Sequence, residues 1–244
     1  MMRDPPAAEI VNPAGTSPFV LLCEHASNRI PEEYDGLGLS EADRARHIAW
    51  DIGAAEVARS LSALIDAPLV LSGYSRLLID CNRPLHAATS IPEISETTAI
   101  PGNAALSPVD RQRRAERFFS PFQAAVEEHL DHRRRRGRGT VVIGIHSFTP
   151  VFKGFRRPWH AGILFRHSRD LGHTLVDAIR RDDLVVEANE PYQIGDDTDY
   201  TVPMHGERRG LDAALVEIRQ DLVAEPRGAA LWAGFLAAAF AACR

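Results

Sequence analysis

Two histidines stand where an apolar run gives way to polar residues. Phe19-Val20-Leu21-Leu22-Cys23 leads into Glu24-His25, and Thr140-Val141-Val142-Ile143-Gly144-Ile145 leads into His146-Ser147. Imidazole is the commonest protein ligand of zinc, and a catalytic zinc typically takes three protein ligands and keeps a fourth position open. Farther on, Glu217 interrupts the apolar run Ala214-Leu215-Val216-Glu217-Ile218. A charge in such a strand costs free energy unless it is paired or used. Its use would be to take a proton from water and pass it to a leaving amine. Leu77-Leu78-Ile79 runs into Asp80-Cys81-Asn82-Arg83, where the planar fork of Arg83 suits a substrate carboxylate. Two histidines, an Asn-Arg pair and a carboxylate at strand ends spell a metal-assisted hydrolase.

Each of these residues has a structural alternative. His25 and His146 would serve equally as hydrogen-bonded histidines at the edge of a core, Glu217 as a partner of Arg219, and Arg83 as a partner of Asp80 or Asp51. The third metal ligand has three candidates: Glu24, Asn28 and Asp51. Glu24 adjoins His25 and would point the opposite way in an extended chain, so Asp51 is preferred, against its alternative as a carboxylate at a helix N-terminus. Arg76 reads as a surface or structural residue. His205, in Met204-His205-Gly206 before the Glu217 run, is a candidate substrate contact or proton donor.

These residues need a scaffold that brings distant strand ends together. Apolar runs at 19–23, 68–71, 77–80, 140–145, 161–165, 184–187 and 215–218 read as strands. Between them, Val57, Leu61, Leu64 and Ile65 recur at helical spacing, and 169–181 and 229–243 read as helices. Ser107-Pro108-Val109-Asp110 carries an N-cap, a proline at the first helical position and an acidic first turn, followed by Phe118, Phe119, Phe122, Val126 and Leu130 on one face. Alternating strands and helices predict an α/β fold, a single-domain three-layer αβα sandwich with a mostly parallel or mixed central sheet. Catalytic groups of such a sheet gather at the carboxyl ends of its strands. The polar segments 84–102 and 188–210 are long enough to be substrate loops.

Composition fits a small-molecule enzyme. A chain of 244 residues, 45% hydrophobic, can bury one sizeable core. Residues 1–17 read as a mobile lead-in without the pattern of a secretory signal, and 18–244 as one hydrolase domain. A net charge of −5 gives no general attraction to nucleic acid or an anionic membrane. Arg133-Arg134-Arg135-Arg136-Gly137-Arg138 reads as a solvated helix end, with His129 and His132 exposed beside it. The apolar run 229–243 is shorter than the roughly 20 residues that span a bilayer. Three cysteines without C-x-x-C spacing point to a reducing cytoplasm.

Five blocks together resemble the N-formylglutamate amidohydrolase family: Cys23 to Pro31, His47 to Ala54, Ser75 to Arg83, Ile145 to Pro150, and Glu217 to Leu222. The likeness spans about Val20 to Leu222. Several blocks also look like zinc carboxypeptidases, which implies a zinc-exopeptidase-like fold with one zinc ion. Carried over by position, the resemblance implies Asn82 and Arg83 for substrate, His146 for zinc and Glu217 for catalysis. Carboxypeptidases place a glutamate three residues after the first metal histidine; here that position is Asn28. The resemblance implies hydrolysis of N-formyl-L-glutamate to formate and L-glutamate, a step of histidine degradation. Its competitors are an amidase or exopeptidase acting on a peptide or cell-wall fragment, and a ligand-binding relative that has lost the metal, for which Asn28 is the motive. The expected site is therefore His25, Asp51 and His146 on zinc, Glu217 as catalyst, and Asn82, Arg83 and His205 on substrate.

Overall fold

The computed structural model of the chain describes residues 5–243. A seven-stranded sheet runs in the order β1 (Ala8–Val11), β3 (Leu69–Ser72), β2 (Phe19–Cys23), β6 (Val141–Phe148), β11 (Asp212–Arg219), β9 (Ala161–Leu164) and β10 (Val186–Ala188). β3, β2, β6 and β11 are mutually parallel, β1 and β9 run antiparallel to their neighbours β3 and β11, and β10 is parallel to β9. The sheet is mixed with a parallel centre, as the alternation of elements predicts.

Both faces are covered, which is why the central strands carry unbroken apolar runs. Phe19, Leu21 and Cys23 point to one face, packed with α2 (Ala54–Ile65), α5 (Arg169–Ile179) and α6 (Pro226–Ala242). Val20 and Leu22 point to the other, where Phe122, Val126 and Leu130 of α4 (Ser120–Arg135) cover them. The period of two along β2 is thus the direct cause of the three layers. α3 (Pro108–Arg114) joins α4 through a π-helical turn, Ala115–Phe119, and Ser107 caps it by accepting the Asp110 amide at 3.1 Å. The minor elements are α1 (Glu41–Arg44) and two hairpins, β4 (Ile94–Ser95) with β5 (Thr98–Ala99) and β7 (Val151–Phe152) with β8 (Phe155–Arg156).

Four expectations change. Part of the segment read as a mobile lead-in is β1, paired with β3 from Ala8 opposite Ser72 to Val11 opposite Leu69. Beyond it, Asp66 accepts the Asn12 amide at 2.8 Å and the Thr16 N–H at 2.9 Å. The run Leu77-Leu78-Ile79 is not a strand. It forms a third apolar cluster with Ile48, Phe118 and Phe119, and its backbone bonds locally, Leu78 N–H to Ser75 and Asp80 N–H to Ser90. Arg133 is not solvated: its guanidinium donates to Ser17 O at 2.7 Å and Gly139 O at 2.9 Å, fastening the helix end to two loops. His129 is likewise buried. Among the described residues, no helix is long and apolar enough to cross a membrane.

Candidate functional site

The parallel strands deliver their carboxyl ends to one edge. Glu217 and His146 are register partners on β11 and β6, and Leu22 pairs with Gly144, so His25 emerges three residues past its own last partner on the same edge. A β-carbon at Gly144 would lie 2.3 Å from the Leu215 side chain and 3.3 Å from His146 Nε2. Glycine there makes room chiefly for Leu215 and leaves the imidazole uncrowded. Asp51 comes from the turn before α2, held beside β2 by its N–H bonded to His25 O at 3.0 Å.

Three ligand-type atoms converge. His25 Nδ1, Asp51 Oδ2 and His146 Nδ1 lie 3.2 Å (His25 to Asp51), 2.9 Å (His146 to Asp51) and 3.2 Å (His146 to His25) apart. The outward nitrogen of each ring faces another carboxylate. His25 Nε2 is 2.7 Å from Asp80 Oδ1, and His146 Nε2 is 3.1 Å from Glu24 Oε2, close but off the angle of a hydrogen bond. An ionised carboxylate can only accept, so each pair calls for the proton on Nε2. Both Nδ1 atoms then present lone pairs to each other and to Asp51.

Three buried lone pairs at such distances repel unless a cation lies among them, so the residues present fit a divalent metal. Two imidazoles and a carboxylate are a zinc-type donor set, and a carboxylate behind each imidazole is the usual outer support of a metal histidine. Burial opposes charge on His146, yet Glu24 and Asp51 hold its pKa well above the ordinary range, and burial of Asp51 is likewise outweighed by His25 and His146, which keep it far below.

The other candidates for the third ligand lie elsewhere. Glu24 sits on the Nε2 side of His146, away from the triangle, and its other oxygen accepts the Thr201 hydroxyl. Asn28 donates to Arg44 O at 3.1 Å and does not line the cavity.

Arg76 matters more than its sequence context suggests. Nη2 lies 2.6 Å from Asp80 Oδ2 and Nη1 3.4 Å from Asp51 Oδ1, so one guanidinium ties the inner carboxylate to the outer one. Asp80 is therefore fixed by His25, Arg76 and the Asn82 N–H, which donates to it at 2.8 Å. The sequence offers one clue to both: Asp80 is a carboxylate directly after a buried apolar run, with Arg76 one helical turn before it.

Above the triangle opens a cavity of about 460 Å³ lined by Glu217, Asn82, Arg83 and Tyr192 among others. Glu217 is nearly buried and its Oε2 has no hydrogen-bond partner among the described residues. Burial pushes its pKa up to about 7, against the pull of His146. Arg83 donates to Thr198 O and lies 4.0 Å from Asp199. Asn82 turns its amide oxygen to the N–H groups of Tyr200 at 3.0 Å and Thr201 at 2.9 Å. It holds the wall of the cavity rather than offering that oxygen to a ligand. His205 does not line the cavity: the π-helical turn Thr201–Gly206 carries it beneath the wall, where Nε2 bonds Gln123 Oε1 at 2.7 Å.

Gly162, opposite Glu217 on β9, lets another loop approach. A β-carbon there would sit 1.5 Å from Glu190 O. That close passage leads the chain to Tyr192, whose ring, with Phe152, forms one side of the cavity.

The sequence matches the family model for N-formylglutamate amidohydrolase over residues 17–224. None of the curated proteins shows significant similarity to it. Among solved structures it is similar to the gene product Atu2144 from Agrobacterium tumefaciens, at 38% identity and TM-score 0.95 over 98% of this chain and 96% of that one. It also resembles N-formylglutamate amidohydrolase from Ralstonia eutropha JMP134, at 18% identity and TM-score 0.70 over 95% and 94% of the two chains.

Proposed function

The chain belongs to the N-formylglutamate amidohydrolase family, hydrolases of linear amides, and on that premise we propose that it is a zinc-dependent enzyme cleaving N-acyl amino acids. The family's substrate, N-formyl-L-glutamate, is the first candidate, giving formate and L-glutamate in histidine degradation. The observation that carries the reading is the triangle of His25 Nδ1, Asp51 Oδ2 and His146 Nδ1, each imidazole backed by a carboxylate.

In this reading His25, Asp51 and His146 hold one zinc ion. When bound, zinc supplies Lewis acidity that polarises the acyl carbonyl and makes water more acidic. Glu217 works beside that centre as general base. Its nearly buried carboxylate, one oxygen of which has no hydrogen-bond partner among the described residues, accepts the proton of the attacking water and returns it to the departing amine. Arg83 binds the α-carboxylate and sets the amide over Glu217. Asp80 and Glu24 keep the imidazoles in the tautomer that leaves Nδ1 free, while Arg76 holds Asp51 and Asp80 in place. Asn82 acts one step back, fixing the loop at Tyr200 and Thr201 that walls the site.

Zinc analysis combined with a formate-release assay tests this. The expected outcome is about one zinc per chain and hydrolysis of N-formyl-L-glutamate that a chelator abolishes and zinc restores. Less than about a tenth of an equivalent after zinc-supplemented growth would sink the catalytic reading.

A further inference from the structure

Two carboxylates stand behind the two histidines, Asp80 behind His25 and Glu24 behind His146. They come from distant parts of the chain, yet one run of hydrogen bonds joins them. The Asn82 N–H donates to Asp80 Oδ1 at 2.8 Å, Asn82 Oδ1 accepts the Thr201 N–H at 2.9 Å, and the Thr201 hydroxyl donates to Glu24 Oε1. Thr201 closes that link. Its backbone is steadied from the loop side as well, since the Tyr200 N–H shares Asn82 Oδ1 at 3.0 Å.

The hydroxyl is what threonine adds at this place. Thr201 has no exposed surface and Glu24 only 1%, so solvent does not replace the donor if it is removed, and a buried carboxylate oxygen left without a donor is costly. Held at Oε1 by Thr201, Glu24 turns Oε2 toward His146 Nε2, 3.1 Å away. Neither of those two atoms has a hydrogen bond among the described residues. The direction in which Glu24 faces the imidazole is therefore set from its other oxygen, by Thr201. An outer carboxylate that orients a metal histidine must itself be held.

We propose that Thr201 is a positioning residue of the metal centre: its hydroxyl fixes Glu24 behind His146, and its N–H ties that carboxylate through Asn82 to Asp80 behind His25. The proposal rests on the zinc-hydrolase reading and adds to it a residue outside both the ligand set and the cavity lining.

Zinc affinity of the full chain, measured by chelator competition without substrate, tests it. Thr201→Val keeps the branched shape and drops the donor; it should weaken zinc binding by about tenfold, as loss of an outer partner does, with Thr201→Ala similar and Thr201→Ser within about threefold of the unmodified chain. Because Thr201 acts through Glu24, adding Thr201→Val to Glu24→Gln should change affinity by less than about twofold further. Unchanged affinity in Thr201→Val or Thr201→Ala, a Thr201→Ser as weak as Thr201→Val, or additive losses in the double variant would each overturn the proposal. So would lowered urea stability of the metal-free variants with zinc affinity intact, or failure of both to fold, since either marks a merely structural residue. The two readings stay separable. Zinc binding insensitive to Thr201 removes this proposal alone, whereas the expected zinc series in a chain that hydrolyses no N-formyl amino acid removes the activity and retains the positioning role.

Discussion

Glu217 and His146 occupy matched positions on adjacent parallel strands, so the carboxylate and the imidazole rise side by side from the same edge of the sheet. The pairing is covalently remote and mechanically stiff. It is set by the register of β6 and β11 over eight consecutive residue pairs, from Asp212 opposite Val141 to Arg219 opposite Phe148. A site on paired central strands holds its groups more tightly than one on loops.

Removing the charge of Glu217 without changing its size separates catalysis from metal binding. Glu217→Gln is expected to keep about one zinc per chain and lose roughly 10²–10⁴-fold in kcat, the usual contribution of a general base. Near-normal turnover of an N-formyl amino acid by this variant would remove Glu217 from that role.

The inner and outer carboxylates should differ in their effect on metal affinity. Asp80→Asn and Glu24→Gln are expected to weaken zinc binding by roughly 10–100-fold, as loss of an outer partner does, and Asp51→Asn by more. Competition with a chromophoric chelator measures all three. Unchanged affinity in Asp51→Asn would take Asp51 out of the ligand set.

Arg83 is expected to act on substrate alone. Arg83→Met should raise KM by roughly 10–100-fold, the loss of a charge-assisted hydrogen bond to the α-carboxylate, with zinc content unchanged. A normal KM would show that the α-carboxylate binds elsewhere.

His205 gives a pH dependence that does not involve the metal. Burial pushes its pKa down to about 4, whereas an unfolded histidine titrates near ~6.5. Between these values the unfolded chain binds a proton that the fold refuses, so stability is fully present above about pH 6.5 and falls as pH drops toward 4, by up to roughly 3 kcal/mol. Urea denaturation of the chelator-treated protein should show a shallower loss over that window in His205→Gln. The same substitution should leave kcat/KM within about threefold, because the ring lies outside the cavity. An equally steep acid loss in the variant would assign it to other groups.

The elements were legible where periodicity was strong. Phe19–Cys23 and Val141–Phe148 show the unbroken apolar runs of strands covered twice, and Ser107-Pro108 announces its helix. Leu77-Leu78-Ile79 misled because a run buried beneath a site is apolar whether or not it pairs as a strand. Asp51 was a preference among three and is the one that meets both histidines, because a backbone bond to His25 brings it there, something spacing cannot express. Arg76 is legible only in part: its spacing to Asp80 is local, but its second partner, Asp51, lies 25 residues away and leaves no local mark. The loop position of His205 suggests a substrate contact or proton donor, but the turn buries it against Gln123.

Anomalous diffraction from zinc-loaded crystals, collected on both sides of the zinc edge, addresses the metal centre most directly. One strong peak is expected about 2.0–2.2 Å from His25 Nδ1, Asp51 Oδ2 and His146 Nδ1. A peak at another set of side chains, or none in fully loaded crystals, would contradict that ligand set.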